Sequence, residues 1–158
     1  ADIEWRDLSQ KVLELYLCSV PAELRHLLHH YRLVDAAMKA VGVGSVGTRC
    51  AIGLFVGDDP DEVLLLQSKQ AEPSVLAPYL HSAAPAHQGE RVVQGQRLMQ
   101  TASDAFLGWT TNPSGDHFYW RHLRDWKGSV DVSCLDANAL KDYGKLCAWT
   151  LAKAHARS

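Results

Sequence analysis

The residues whose types and spacing suggest chemistry are three glycines in a G-x-G-x-x-G pattern, Gly42, Gly44 and Gly47, and a later lysine, Lys69. Glycine has no Cβ, so a backbone rich in it can approach phosphate oxygens closely and present several N–H groups to them. A lysine beneath such a segment adds a positive charge for the α and β phosphates of a nucleotide. The pattern therefore predicts phosphate binding by the glycine segment, with Lys69 as its catalytic cation.

The sequence around the glycine segment distinguishes three phosphate-binding motifs. A dinucleotide-binding fingerprint needs a helix directly after the glycines, whereas residues 48–56, TRCAIGLFV, alternate and are rich in β-formers, which predicts a strand. A Walker loop needs a lysine after its second glycine, and here Thr48 follows Gly47. A glycine segment between two antiparallel strands is the arrangement in protein kinases. The motif alone leaves open a glycine-rich hairpin that binds no ligand.

A lysine in this role is held in kinases by a carboxylate on the helix that follows its strand. Glu90 and Gln94 lie one turn apart on one face of the helix predicted over residues 88–101. Glu90 offers a carboxylate for an ion pair with Lys69, while Gln94 offers only a neutral amide oxygen. In the alternative interpretation, Lys69 and Glu90 are ordinary solvated surface residues.

The periodicity of apolar residues predicts the elements that must position these groups. Helices are predicted over residues 5–18, 23–30, 88–101 and 138–156. Strands are predicted over residues 48–56, 62–70, 105–110 and 117–123, and residues 31–41 fit either a helix or a strand. This order predicts an α+β fold, an antiparallel sheet with flanking helices.

Composition limits the classes of partner. The chain has 158 residues, a hydrophobic fraction of 47%, a charged fraction of 22% and a net charge of −2, so it has no basic field for nucleic acid or an anionic membrane. No apolar run reaches the roughly 18 residues of a spanning helix. The four cysteines have no C-x-x-C spacing, which favours reduced thiols and a cytoplasmic location. The histidines have no metal-like spacing, so we expect no metal site in this chain.

Five stretches of the sequence resemble the bacterial domain-of-unknown-function family 2252. They are YRLVDAAMKAVGVGSVGTRC, LLLQSKQAEPSVLAPYL, GERVVQGQRLMQTASDAFLGW, FYWRHLRDWKGSVDV and LCAWTLAKAHARS. The similarity covers nearly all of residues 31–158, while residues 1–30 match less distinctively. The family resembles kinase-like small-molecule phosphotransferases, so the resemblance implies a kinase-like N-lobe plus the first helix of the C-lobe.

The resemblance also implies how the chain is divided. We expect an N-terminal helical segment over residues 1–30, a kinase-like N-lobe over 31–126, and a truncated connector and long helix over 127–158. In the family, stretches that resemble a catalytic loop and a metal site precede the glycine loop, as in a circular permutation. Their patterns, G-D-x-H-x-x-N-F and N-D-F-D, do not occur here. We therefore expect a portion of a longer protein that is inactive alone and whose partner is the missing upstream part.

The resemblance implies a nucleotide site whose residues would all contact ATP. They are Gly42, Gly44, Ser45, Val46, Gly47, Lys69, Leu123, Arg124 and Asp125. The last three belong to residues 122–126, which resemble the hinge whose backbone meets an adenine edge. Gln94 falls where the family has an acidic residue, which leaves Glu90 as the substitute partner of Lys69.

The predicted function is the ATP-binding portion of a kinase-like small-molecule phosphotransferase, with ATP and Mg²⁺ as cofactors of the full-length protein. The alternative from a different class is a non-catalytic binding or scaffolding module, which the amide at Gln94 favours. A third expectation is self-association of the isolated portion through an exposed apolar face.

Overall fold

Helices and strands cover most of the chain, and the computed structural model describes residues 2–39, 47–79, 85–124 and 128–158, with side chains from residue 10 onward. The helices are α1 (Asp2–Ser19), α2 (Ala22–Leu28), α3 (Gln88–Met99) and α4 (Ala137–His155). The strands are β1 (Arg32–Met38), β2 (Cys50–Val56), β3 (Val63–Gln70), β4 (Gly108–Thr111) and β5 (His117–His122). These elements confirm the predicted α+β class.

Within the described residues, the strands form one five-stranded sheet in the order β1-β2-β3-β5-β4, and every neighbouring pair is antiparallel. Strands β2 and β3 form a hairpin that is closed by a hydrogen bond of 2.8 Å from the Gly57 N–H to the Glu62 carbonyl. The segment that the sequence left undecided is strand β1, because it pairs along β2 from Arg32 opposite Val56 to Met38 opposite Ala51.

Alternation of side chains gives the sheet two different faces. On one face, Leu64 and Leu66 of β3 join Phe55 and Trp120 in the apolar core. This core is completed by residues of the two N-terminal helices: Leu13, Tyr16, Leu17, Val20, Leu24 and Leu28. The α1–α2 layer therefore covers this face, and the residues of β3 that alternate with the leucines project from the other face.

The chain consists of two compact units. The first contains residues 1–94 and 104–123, and thus α1, α2, the sheet and the first part of α3. The second contains residues 95–103 and 124–158. There, Arg157 donates hydrogen bonds to the carbonyls of Leu98 and Met99, each at 2.8 Å, and so satisfies the last turn of α3.

The described helices include no membrane-crossing candidate, because none combines sufficient length with sufficient apolar character.

Candidate functional site

The glycine segment connects the first two strands of the sheet. Lys39, directly after β1, donates its N–H to the carbonyl of Cys50, the first residue of β2, at 2.8 Å. Residues 40–46 lie between these two paired ends, so the predictions for Gly42, Gly44, Ser45 and Val46 lie outside the described residues. Gly47 is described and has a φ of 83°, a conformation that residues with a Cβ rarely adopt.

Lys69 lies near the end of β3, on the face of the sheet opposite the α1–α2 layer. Its register partners are Cys50 on β2 and Tyr119 on β5, and its side chain is half-buried. Directly paired residues of antiparallel strands share a face, so Cys50 and Tyr119 accompany Lys69. We name this surface the Lys69 face: the side of the sheet that carries Cys50, Gln67, Lys69, Tyr119 and Arg121. Lys69 is thus next to the β2 residue that follows the glycine segment.

A line of hydrogen bonds crosses the Lys69 face beside the lysine. Gln67 is only 3% exposed, and its Nε2 donates to the Cys50 sulfur at 3.4 Å. Its Oε1 accepts a hydrogen bond of 3.2 Å from Nε of Arg121. Arg121 was not among the residues that sequence reasoning selected. The signal that identifies it is the alternation of β5, which places Arg121 on the face opposite Trp120.

The predicted partners of Lys69 lie on α3 but are not joined to it. Among the described residues, Lys69 forms no ion pair with Glu90 and no hydrogen bond with the Gln94 amide. Glu90 is half-buried in the first turn of α3 and acts electrostatically on His87, while Gln94 is exposed. The structure therefore places Glu90 at the helix end that is nearest to β5, where it does not form the predicted ion pair with Lys69.

Two histidines attach the beginning of α3 to the Lys69 face. Nδ1 of His87, the residue before the helix, accepts the N–H of Glu90 at 3.1 Å, and Nδ1 of His117 on β5 accepts the N–H of Gln88 at 3.0 Å. The two rings stack with centroids 4.0 Å apart, and Nε2 of His87 lies 3.0 Å from the Thr111 hydroxyl. Both imidazoles must be neutral at Nδ1 to accept these N–H groups, which otherwise have no intrahelical partner.

We expect the stability of the protein to decrease as the pH falls below about 6.5 because of His87. Burial, and next the neighbouring His117, lower the pKa of His87 from its ordinary 6.5, while a hydrogen bond to the Thr110 backbone and the charge of Glu90 oppose them. The folded protein therefore binds fewer protons than the unfolded chain at mildly acidic pH. The contribution of His87 to the free energy of unfolding is fully present above pH 6.5 and is lost as the pH falls through the folded pKa. This contribution is below about 1 kcal/mol because the ring is partly exposed.

Urea unfolding at pH 7.5 and pH 5.5 measures this loss. The variant His87→Asn provides the control, because asparagine keeps an N-cap acceptor and does not titrate. We expect a smaller difference between the two pH values in the variant, and an unchanged difference would contradict the role of His87.

The structure describes only part of the predicted hinge. Leu123 directly follows β5 and extends its pairing with β3, since its N–H donates to the Leu65 carbonyl at 2.9 Å. Arg124 is exposed, and Asp125 lies outside the described residues. In the part of the chain that the structure describes, no group of three or more His, Cys, Asp or Glu residues is arranged to hold a metal ion.

A family model matches the chain over residues 2–158, and its description is "Uncharacterized protein conserved in bacteria (DUF2252)". Neither the curated proteins nor the solved structures give a match.

Proposed function

We propose that this chain, which belongs to the bacterial DUF2252 family, forms the nucleotide-binding portion of a kinase-like small-molecule phosphotransferase. The observation that carries the proposal is the position of Lys69 directly opposite Cys50, the residue at which the chain re-enters the sheet after the glycine segment. In protein kinases, likewise, a glycine-rich loop covers the phosphates and the lysine that binds them lies on the third strand.

The order of elements supports the proposal beyond this single contact. A strand, the glycine segment, a second strand, a third strand with the lysine, a helix and two further strands follow one another along the chain. The third strand lies between β2 and β5 at the centre of the sheet, and α3 begins on the Lys69 face through His117. A nucleotide on this face would meet both Lys69 and the first turn of α3.

The groups proposed for this site suit the phosphates of a nucleotide better than they suit a metal ion. The Lys69 face supplies the ammonium group of a half-buried lysine, and the glycine segment would supply backbone N–H groups. The backbone of Leu123, Arg124 and Asp125 would meet the adenine edge. Mg²⁺ would neutralise charge on the phosphates during transfer, and the family resemblance assigns its carboxylate ligands to a stretch that precedes the glycine loop in longer members.

Replacement of Lys69 by alanine tests the proposal. We expect the dissociation constant for ATP, measured by isothermal titration calorimetry, to increase at least about tenfold, since a charge-assisted contact to phosphate is lost. Lys145→Ala is the control, because Lys145 is an exposed lysine that pairs with Asp142 on α4. An unchanged affinity in Lys69→Ala, or equal losses in both variants, would remove Lys69 from the nucleotide site.

Within the described residues, Lys69 has no ion pair with Glu90, the acidic residue of α3, and this favours one alternative. In that alternative the fold binds a nucleotide, or scaffolds another protein, without phosphoryl transfer. The two candidates differ in turnover. In the full-length protein, ATP binding together with transfer of the γ-phosphate to a small hydroxyl or amine compound supports the phosphotransferase, whereas binding without transfer across such a screen supports the module.

A further inference from the structure

The Lys69 face carries a second cation, Arg121. Lys69 pairs with Tyr119 and Gln67 pairs with Arg121, so the two cations are diagonal neighbours on adjacent strands. Such diagonal positions are close enough for long side chains to contact the same group. Along β5, Arg121 lies between Tyr119, which is opposite Lys69, and Leu123, the first of the residues predicted to meet the adenine edge.

The charge of Arg121 is not neutralised within the described part of the protein. Its side chain is half-buried, and neither it nor Lys69 forms an ion pair with a described carboxylate. Burial raises the pKa of Tyr119, which is paired with Lys69 and lies two residues from Arg121 on β5, and the positive charge of Arg121 opposes that increase. Each half-buried cation has lost part of its hydration, so an anion on this face would interact favourably with both groups.

The guanidinium group is also held in place before any ligand binds. Its Nε donates to Gln67, and Gln67 is itself buried and bonded to the Cys50 sulfur. No hydrogen bond joins either Nη group of Arg121 to another described residue. The planar group thus keeps its two terminal nitrogens for a bidentate contact, the geometry that suits a phosphate.

We infer that Arg121 is a second phosphate-binding residue of the Lys69 face, and that it binds the phosphate nearest the nucleoside while Lys69 binds farther along the same polyphosphate. This inference rests on the proposed nucleotide site. It follows from the position of Arg121 between Lys69 and the hinge. The ligand class is therefore a nucleoside phosphate, including a monophosphate, whose binding depends on Arg121 more than on Lys69.

The test is the affinity of the chain for ATP, AMP and adenosine, measured by isothermal titration calorimetry for the parent protein and for Arg121→Gln. We expect the dissociation constants for ATP and AMP to increase about tenfold in the variant, and the one for adenosine to stay the same. Arg121→Lys should recover part of the loss, because it restores the charge but not the bidentate contact. Arg32→Gln, an exposed arginine on β1, is the matched control and should bind as the parent does.

The outcomes separate the inference from the proposal on which it rests. If the parent protein binds none of the three compounds, the nucleotide site itself is wrong. If the parent binds ATP and Arg121→Gln binds it equally well, the role of Arg121 is wrong and the site stands. An equal loss for adenosine and ATP would also overturn the phosphate role, because it would place Arg121 in the support of the nucleoside pocket. Circular dichroism checks that Arg121→Gln is folded, and the lysine variant carries the test if it is not.

Discussion

Replacement of Tyr16 by alanine is expected to lower the free energy of unfolding by about 3–5 kcal/mol, the range for deletion of a large buried aromatic ring. Tyr16 has no exposed surface, and its ring lies 5.3 Å from the ring of Trp120 on β5. Its hydroxyl donates a hydrogen bond of 2.7 Å to the carbonyl of Phe106. Burial, followed by the nearby Asp104, raises the pKa of Tyr16, which keeps this hydroxyl protonated as a donor.

The residues around Tyr16 cannot fill the cavity that Tyr16→Ala creates. A Cβ added to Gly108 on β4 would lie 2.6 Å from a ring carbon of Tyr16 and 2.7 Å from the Ser19 hydroxyl, so the backbone of β4 contacts α1 closely. Main-chain atoms of a sheet relax little, and a cavity therefore persists in the variant.

Urea unfolding followed by tryptophan fluorescence measures the effect, with Tyr16→Phe as the matched control. The phenylalanine keeps the ring and loses only the hydrogen bond to Phe106, so a loss of about 1–2 kcal/mol is expected. If Tyr16→Ala loses no more than Tyr16→Phe, then α1 does not pack against the sheet as described. That result would leave the side of the sheet opposite Lys69 open, and a ligand on the Lys69 face would no longer be favoured over one on the other side.

The elements were predictable because their signals are local. The apolar residues that follow the polar turn predicted a strand over residues 62–70, and β3 is Val63–Gln70. Helical periodicity predicted a helix over 88–101, and α3 is Gln88–Met99. Strand β1 was not decided by its own sequence, because small residues such as Ala36 and Ala37 are compatible with both conformations. Its pairing with β2, which includes an irregularity between Leu33 and Asp35, determines the strand.

The candidate site was predictable only where it depends on one strand. The face of Lys69 follows from alternation within β3, so the sequence placed it together with Leu65 and Gln67. Alternation of β5 places Arg121 on the face opposite Trp120, but only the register that pairs it with Gln67, a residue distant in sequence, shows that Arg121 lies beside Lys69. Periodicity carries no information about such long-range register.

The partner of Lys69 was not predictable for a related reason. Which side chains of α3 can reach the lysine depends on how the helix docks on β5. That docking is determined by the ring nitrogens of His87 and His117 and by Gly89, none of which has a recognised capping or contact motif. Histidine at these positions has no distinctive sequence signal, since Ser, Thr, Asp and Asn are the usual N-cap residues.

Replacement of Gly89 by alanine is expected to destabilise the protein by about 2 kcal/mol, although alanine is the better helix former. Gly89 is buried in the first turn of α3, against the backbone of Phe118 on β5. An added Cβ would lie 2.8 Å from the Phe118 carbonyl carbon and closer still to its oxygen, and neither atom can rotate away. Overpacking against rigid backbone costs about 3 kcal/mol, and the gain in helix propensity offsets about 1 kcal/mol of it.

The same helix offers a control of opposite sign. Gly95 is exposed, and an added Cβ there would meet nothing within 4 Å, so Gly95→Ala is expected to stabilise the protein by about 0.5–1 kcal/mol. Urea unfolding of both variants gives the two free energies. In Gly89→Ala we also expect faster hydrogen exchange of the Gln88 and Glu90 amides, because displacement of the helix lengthens their bonds to His117 and His87. Stabilisation of both variants would show that α3 does not begin against β5, and the Lys69 face would then lack the helix that His117 attaches to it.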